Sequence, residues 1–247
     1  DLSFLTTPER FHVANRLYLS TLTRVSARRA RRVVAISEST RADVIRLLGI
    51  DPGRVDVVRP SLEERFRPAD QGEIAAFVQR RGLPQRFILY VGTLEPRKNL
   101  GTLIRAFGQV HGQDSSLKLV LAGGKGWGYD DIFAAVRDSG LAGEVIFPGY
   151  VPPEELPLWY GATAAFAYPS LYEGFGLPVL EALACGASVV TSNGSSLPEA
   201  AGDAALQVDA TDVEALAAAL VRLLSDGALR AELRQRGLTH AARFTGE

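Results

Sequence analysis

The sequence predicts an α/β protein: a parallel sheet domain with helices on both faces, preceded by part of a second α/β domain. Three observations carry this. Short apolar runs such as Phe87-Ile88-Leu89-Tyr90-Val91 alternate with segments of helical period, the pattern of strands covered on both faces. The unusual glycine-rich sequences fall directly after those runs, where open parallel sheets bind their ligands. The first third shows the same alternation, then breaks at a stretch holding Pro60, Pro68 and Gly72. The expected organisation is the end of one domain over 1–60, a linker over 61–85 and a ligand-binding domain over 86–247.

In chain order, Arg10 to Arg32 reads as helical and Val33 to Ser37 as a strand. Ser37 or Ser39 caps a helix running through Leu48, which Gly49 stops. Val55 to Val58 is a further short strand. Phe87 to Val91 is the first strand of the second domain. Asn99 opens a helix whose apolar residues Leu100, Leu103, Ile104, Phe107 and Val110 recur at steps of three and four. Leu117 to Leu121 is a strand, Gly123 to Gly128 a turn, 130–138 a helix and Val145 to Phe147 a short strand. Pro153 to Tyr160 is a helix with proline in its first turn. Strands follow at Ala164 to Tyr168, Ser188 to Thr191 and Ala205 to Val208, with a helix from Pro178 to Ala184. Helices near 212–224 and 228–236 close the chain.

At 247 residues, 47% hydrophobic and 22% charged, the composition excludes a disordered tail or a collagen-like fibre. No apolar run approaches the roughly 18 to 20 residues of a spanning helix. The lone Cys185 forms no internal disulfide, and His12, His111 and His240 are scattered, so no metal site is expected. The chain has no methionine, and it is read as an internal or processed piece of a longer protein. Charge is uneven: residues 1–60 carry 11 Arg against 6 acids, and residues 61–247 carry 16 Lys and Arg against 22 acids. The run from Arg24 to Arg32 is first a solvated helix face and second a membrane-surface or acidic-ligand patch. Nucleic acid is not expected as a partner, since no recognition pattern accompanies the charge.

Two segments carry chemistry. In Gly92-Thr93-Leu94-Glu95-Pro96-Arg97-Lys98-Asn99, two cations stand before a helix N-terminus that itself carries about half a positive charge. An unliganded protein gains nothing from that placement, and a phosphate or pyrophosphate would reconcile it. In Pro169 to Ala182, Gly174 and Gly176 leave the backbone open to close approach. Pro178 suits a first helical turn, and the amides of Phe175, Gly176 and Leu177 are placed to face an oxygen-rich ligand. Glu173 lies on the loop; Glu181 is one turn into the helix among apolar neighbours and needs partners, which vicinal sugar hydroxyls would supply. Other candidates read as structural. Gly123 to Gly128 is no P-loop, with Lys125 a weak ligand candidate. His12 is structural or solvated, His111 sits favourably near a helix end, Cys185 is a small buried hydrophobe, and Ser196-x-x-Glu199 is a capping box.

The run from Tyr168 to Leu206 resembles the signature of family 4 retaining glycosyltransferases of the GT-B fold. Glu173 and Glu181 match its E-x7-E pattern, and the similarity continues through Ser195-Ser196-Leu197-Pro198-Glu199-Ala200-Ala201-Gly202. The resemblance implies two Rossmann-like domains, with this chain holding the nucleotide-sugar domain and lacking most of the acceptor domain. It implies that Glu181 holds the donor ribose and that Glu173 faces the transferred sugar, whose hydroxyls the amides of Phe175, Gly176 and Leu177 grip. Lys98 would bind the diphosphate, beside Gly92, and the Gly149-Tyr150-Val151 loop would read the base. Transfer would retain configuration without a metal or other cofactor. The sequence departs from the family at Thr93, where many members carry arginine and Arg97 is inferred to substitute, and at Arg59-Pro60-Ser61 in the linker. A histidine expected near the donor sugar would fall just before Asp1.

Glu-Pro-Arg-Lys-Asn at 95–99 is similar to mannosyltransferase-like members, which favours GDP-mannose over a UDP-sugar. The expected acceptor is a glycan or lipid-linked glycan of the cell envelope. The expected location is cytoplasmic, with peripheral contact at the inner membrane face as the second reading of the basic run. The alternatives are a nucleotide-sugar-binding module without turnover, or a GT-B-fold epimerase or phosphorylase. A phosphorylase would need a cofactor lysine that nothing in the sequence marks.

Overall fold

The computed structural model describes residues 1–8 and 13–245. Arg10 and His12, assigned above to the first helix, lie outside the described residues.

The N-terminal unit runs α1 (Ser3–Thr6), α2 (Val13–Arg29), β1 (Val33–Ala35), α3 (Glu38–Leu48) and β2 (Val55–Val57). The two strands pair in parallel. Ser37 rather than Ser39 caps α3, accepting from the Thr40 amide, and Gly49 ends it in the left-handed conformation at φ 68°. A small core of Leu2, Phe4, Ala35, Val44, Leu48, Ile50 and Val55 belongs to this unit alone.

The stretch expected as a linker carries a helix, α4 (Gln71–Arg81). Asp70 and Glu73 form its capping box and Gly82 its left-handed stop. The signal was in the sequence as Asp70-x-x-Glu73 before Ile74, Phe77 and Val78. Phe77 is fully buried, edge-on to Trp159 at 5.4 Å, so α4 packs into the second core. Leu62 also ties to the far end of the chain, its amide donating to the Phe244 carbonyl at 2.7 Å.

The main sheet contains β3 (Phe87–Val91), β4 (Lys118–Ala122), β5 (Val145–Gly149), β6 (Ala165–Tyr168), β7 (Val189–Ser192) and β8 (Ala205–Val208). All neighbours are parallel, in the order β5-β4-β3-β6-β7-β8. Its helices are α5 (Leu100–His111), α6 (Asp130–Asp138), α7 (Leu156–Ala162), α8 (Leu177–Ala184), α9 (Leu197–Ala201), α10 (Val213–Ser225) and α11 (Gly227–Ala241). β5 runs on through Pro148, which an edge strand tolerates because it has one unpaired side. α7 starts at Leu156, later than expected, because the residues around Pro152 and Pro153 turn first. This is the predicted α/β class, a Rossmann-like parallel sheet covered by helices. No helix among the described residues is long and apolar enough to cross a membrane.

The strand order sets the site. From β3 the chain builds outward through β4 and β5, then returns to β6 on the other side of β3 and continues to β7 and β8. The loops after β3 and β6 therefore diverge from neighbouring strands, leaving a crevice at the switch point. Those loops hold Arg97 and Lys98 on one side and Glu173 on the other.

Candidate active site

The crevice floor is glycine because two loops touch there. The Gly92 amide donates to the Ala122 carbonyl at 2.9 Å. A Cβ on Gly123 would stand 1.9 Å from the Gly92 oxygen, so no side chain fits. Beyond this floor, Pro96–Lys98 forms a 3-10 turn, and Asn99 takes a left-handed conformation at φ 58° before α5. Its side-chain amide donates to the carbonyls of Pro169, at 3.1 Å, and Ala210, at 2.5 Å. The Leu171 amide donates to the Arg97 carbonyl at 3.0 Å. These bonds stitch the loop after β3 to the loops after β6 and β8 across the switch point.

They bring Arg97, Lys98 and Glu173 into one cluster. Lys98 Nζ donates to Glu173 Oε1 at 2.6 Å and to Tyr168 Oη at 3.0 Å. Arg97 Nη1 donates to Glu173 Oε2 at 2.8 Å and to the Tyr172 carbonyl at 2.6 Å, while Nη2 reaches Glu95 Oε1 at 2.7 Å. Lys98 and Glu173 are each 7% exposed. Burial alone would raise the Glu173 pKa, but the charges of Lys98 and Arg97 override it and hold the carboxyl below its usual range. Burial pulls Lys98 down from the usual lysine range, and Glu173 partly offsets that. Burial also opposes the charge of Arg97, yet Glu173 keeps its pKa raised. The two cations are thus not idle without a ligand, contrary to the sequence expectation. Glu173, 75 residues downstream of Lys98, and the neighbouring Glu95 balance them.

The backbone of Glu173 is held as firmly as its side chain. Its amide donates to Ser195 Oγ at 2.9 Å, and Ser196 Oγ donates to its carbonyl at 2.9 Å. Ser195 sits at φ 50°, an uncommon conformation for a residue with a Cβ. Ser196 and Glu199 do not form the expected capping box. Ser196 is spent on Glu173, and the Glu199 carboxylate instead accepts from the amides of Glu38, at 2.9 Å, and Ser39, at 2.8 Å. The N-terminal unit closes over the same loop: a Cβ on Gly174 would stand 3.0 Å from both Asp1 Cβ and Ile36 Cδ1.

Glu181 stands apart from this cluster, with Tyr160 as its partner at 2.8 Å. Burial raises its pKa, the Tyr160 hydroxyl opposes, and Glu63 adds to the rise. Tyr160 packs edge-on to Phe166, Phe166 stacks on Tyr168, and Tyr168 stacks on Tyr90. One aromatic column therefore runs between the two carboxylates of the E-x7-E pattern. Tyr160 and Tyr168 were not foreseen. Tyr168 ends a strand directly before the motif, which was the available signal. The phenols of Tyr160, Tyr168 and Tyr90 are pushed well up by burial and then by the nearby carboxylates, so they keep their protons: Tyr160 donates to Glu181 and Tyr90 to the Thr93 carbonyl, while Tyr168 accepts from Lys98.

Gly176 precedes α8 at φ 107° with no side-chain cap. Leu177 is 38% exposed, while Phe175 is buried edge-on to Phe244. Gly149 lies beside the crevice floor, its carbonyl accepting from the Gly123 amide at 2.8 Å. Beyond it Tyr150 is 72% exposed and Val151 buried. Lys125 is drawn away, with Nζ 4.7 Å from the Tyr129 ring centroid. His111 ends α5, with Nδ1 3.1 Å from the Leu117 carbonyl. Cys185 is 1% exposed, and burial pushes its thiol up to about 12.

Residues 73–240 match the family described as "Glycosyl transferases group 1". The chain belongs to this family. The chain is 37% identical over 251 residues to the O-antigen chain mannosyltransferase B of Escherichia coli, covering all of this chain and 65% of that protein. It is 33% identical over 222 residues to the serotype-specific mannosyltransferase WbdA of the same species, covering 88% of this chain and 27% of WbdA. It thus spans less than two thirds of these curated relatives. Among solved structures, Anabaena HepE in complex with UDP and glucose superposes with a TM-score of 0.84 at 21% identity, over 96% of this chain and 65% of HepE. That likeness is one of fold.

The two carboxylates should differ in their effect on stability. Glu173→Gln leaves Lys98 buried without its counter-charge and is expected to cost about 3 kcal/mol at pH 7. Because the folded pKa of Glu173 is depressed, its contribution is present above about pH 4.5 and is lost as pH falls below it. The gap between wild type and Glu173→Gln in urea unfolding should therefore close in acid. Glu181 has the opposite sign: its charged form is penalised above about pH 4.5, so Glu181→Gln should raise the urea midpoint at pH 7. A pH-independent gap for Glu173→Gln would contradict the ion cluster.

Proposed function

We propose that this glycosyl transferase is a retaining mannosyltransferase of cell-envelope polysaccharide synthesis. It takes mannose from a nucleotide diphospho-sugar, GDP-mannose before UDP-sugars, and delivers it to a glycan or lipid-linked acceptor. The observation that carries the reading is the meeting of Arg97, Lys98 and Glu173 at the switch point of a parallel sheet. Two mannosyltransferases among the relatives favour the sugar. The UDP and glucose bound by HepE keep a UDP-sugar as the competing donor in the same test.

In this reading the diphosphate lies against the loop after β3, where Lys98 and Arg97 take up the charge of the leaving group. Glu173, between them, faces the transferred sugar. The bond from the sugar's anomeric carbon to the diphosphate breaks, the bond to the acceptor oxygen forms on the same face, and the acceptor proton leaves with the diphosphate. The amides of Phe175, Gly176 and Leu177 hold sugar hydroxyls, Glu181 holds the ribose, and the backbone of Tyr150 and Val151 meets the base. No metal or other cofactor is part of the reading. The reading places the protein in the cytoplasm with peripheral membrane contact; the contact is supported by α2, where Leu17, Tyr18, Leu22 and Val25 are exposed beside Arg24, Arg28 and Arg29.

Titration calorimetry in EDTA should show saturable binding of GDP, with UDP weaker. Binding of neither nucleotide would overturn the reading. Glu181→Ala should weaken the bound nucleotide about 100-fold, the worth of two charge-assisted hydrogen bonds at about 1.5 kcal/mol each. Unchanged affinity would refute the ribose role. With GDP-α-mannose and the acceptor oligosaccharide, proton NMR of the first-formed product should show the α anomer. A β product would exclude retention.

A further inference from the structure

The N-terminal unit and the main sheet have separate apolar cores, one within residues 2–57 and one within residues 62–244. Polar contacts made by α3 join them at the active site, where Tyr172 also meets Leu2 and Thr6 and Gly174 approaches Asp1. The first amides of α3, which have no partner within the helix, are taken by the Glu199 carboxylate, one oxygen each from Glu38 and Ser39. A carboxylate there also complements the positive end of the helix dipole. In the same turn, Thr40 Oγ1 donates to the Gly174 carbonyl at 3.1 Å. Further along, Asp43 Oδ2 accepts from Tyr172 Oη at 2.8 Å. Thr40, Asp43 and Tyr172 are buried.

α3 therefore holds both flanks of Glu173, at residues 172 and 174. It also reaches Arg97 at one remove, since the Tyr172 carbonyl accepts from Arg97 Nη1. Glu199 takes the first two amides of the helix, and it comes from α9, which follows the Ser195 and Ser196 hydroxyls that grip the Glu173 backbone. We propose that Glu199 is a positioning residue: it clamps α3, and with it the N-terminal unit, at the height where Thr40 and Asp43 lock residues 172–174 for transfer. It touches neither donor nor acceptor. The clamp governs turnover rather than donor binding, since the donor contacts assigned above all belong to the main sheet domain. As a statement about turnover, this rests on the reading of the chain as a glycosyl transferase acting through Glu173.

Two measurements test it. Spin labels at Arg28→Cys on α2 and Gln235→Cys on α11, both exposed positions, report the placement of the two units; the native Cys185 is buried and escapes labelling. Glu199→Ala should broaden the label distance distribution, and Glu199→Gln, which keeps one acceptor for the helix amides, should broaden it less. In parallel, Glu199→Ala should leave donor KM and GDP affinity within about twofold while kcat falls about 10- to 100-fold, the scale of a misplacement near 1 Å. Glu199→Gln should recover part of that loss, and it carries the comparison if Glu199→Ala fails to fold. An unchanged distance distribution overturns the clamp, whether or not the protein proves to be a transferase. A loss of donor affinity equal to the loss of kcat overturns the positioning role. Absence of transfer by the wild-type protein would fail the functional reading alone, and the distance measurement would still decide the clamp.

Discussion

A carboxylate taken out of water is expensive unless cations and donors meet it, and Glu173 is almost fully out of water. The rest of the site follows from meeting that demand. Lys98 and Arg97 come from the loop after β3 and Glu173 from the loop after β6, so those strands must be neighbours. Their loops must also diverge, which only the switch point allows. The loops must come close enough for 2.6 and 2.8 Å contacts, and the left-handed Asn99, whose side-chain amide donates to the Pro169 carbonyl, holds them together. Ser195 and Ser196 then fix the backbone beneath the carboxylate.

The second carboxylate is treated differently by the same sheet. Glu181 has a phenol for a partner and no cation in direct contact among its described hydrogen bonds and ion pairs, and burial raises its pKa where that of Glu173 is lowered. Eight residues apart in one motif, the two groups occupy opposite electrostatic environments, and the column Tyr90–Tyr168–Phe166–Tyr160 lies between them. Such divergence is what separate roles require of paired carboxylates. Glu173 is an ion held in a fixed place. Glu181 is an acceptor with capacity left for hydroxyl donors.

Much of this was legible in the sequence, for local reasons. Apolar runs such as Phe87 to Val91 mark their strands because no other element of five residues buries on both sides. The glycines of 174–176, with Pro178, mark a loop running into a helix. What could not be read was every pairing that depends on strand order. Lys98 and Glu173 lie 75 residues apart, and nothing local indicates that β3 and β6 are adjacent. Glu199 was misread for the same reason: Ser196-x-x-Glu199 has the spacing of a capping box, but tertiary partners 160 residues away outcompeted the local ones. The α4 helix was a different failure. Its capping box is local and formed, but Pro60 and Pro68 upstream give the stretch the composition of a linker.

The pairing of Glu173 with both cations also bears on how a diphosphate could be received. Lys98 and Arg97 repel each other, and burial works against the charge of both. Left alone, such a pair would lose a proton or swing toward water, and an arriving anion would have to reassemble it. Glu173 opposes both escapes, holding Arg97 Nη1 and Lys98 Nζ on its two oxygens. Among the described residues, Glu173 and Tyr168 engage two of the three Lys98 donors. Electrostatic stabilisation of a leaving group is strongest when the stabilising charges need not reorganise as the reaction proceeds. A buried carboxylate between two cations meets that requirement before any ligand arrives, and the clamp of α3 on residues 172 and 174 keeps the carboxylate itself from moving.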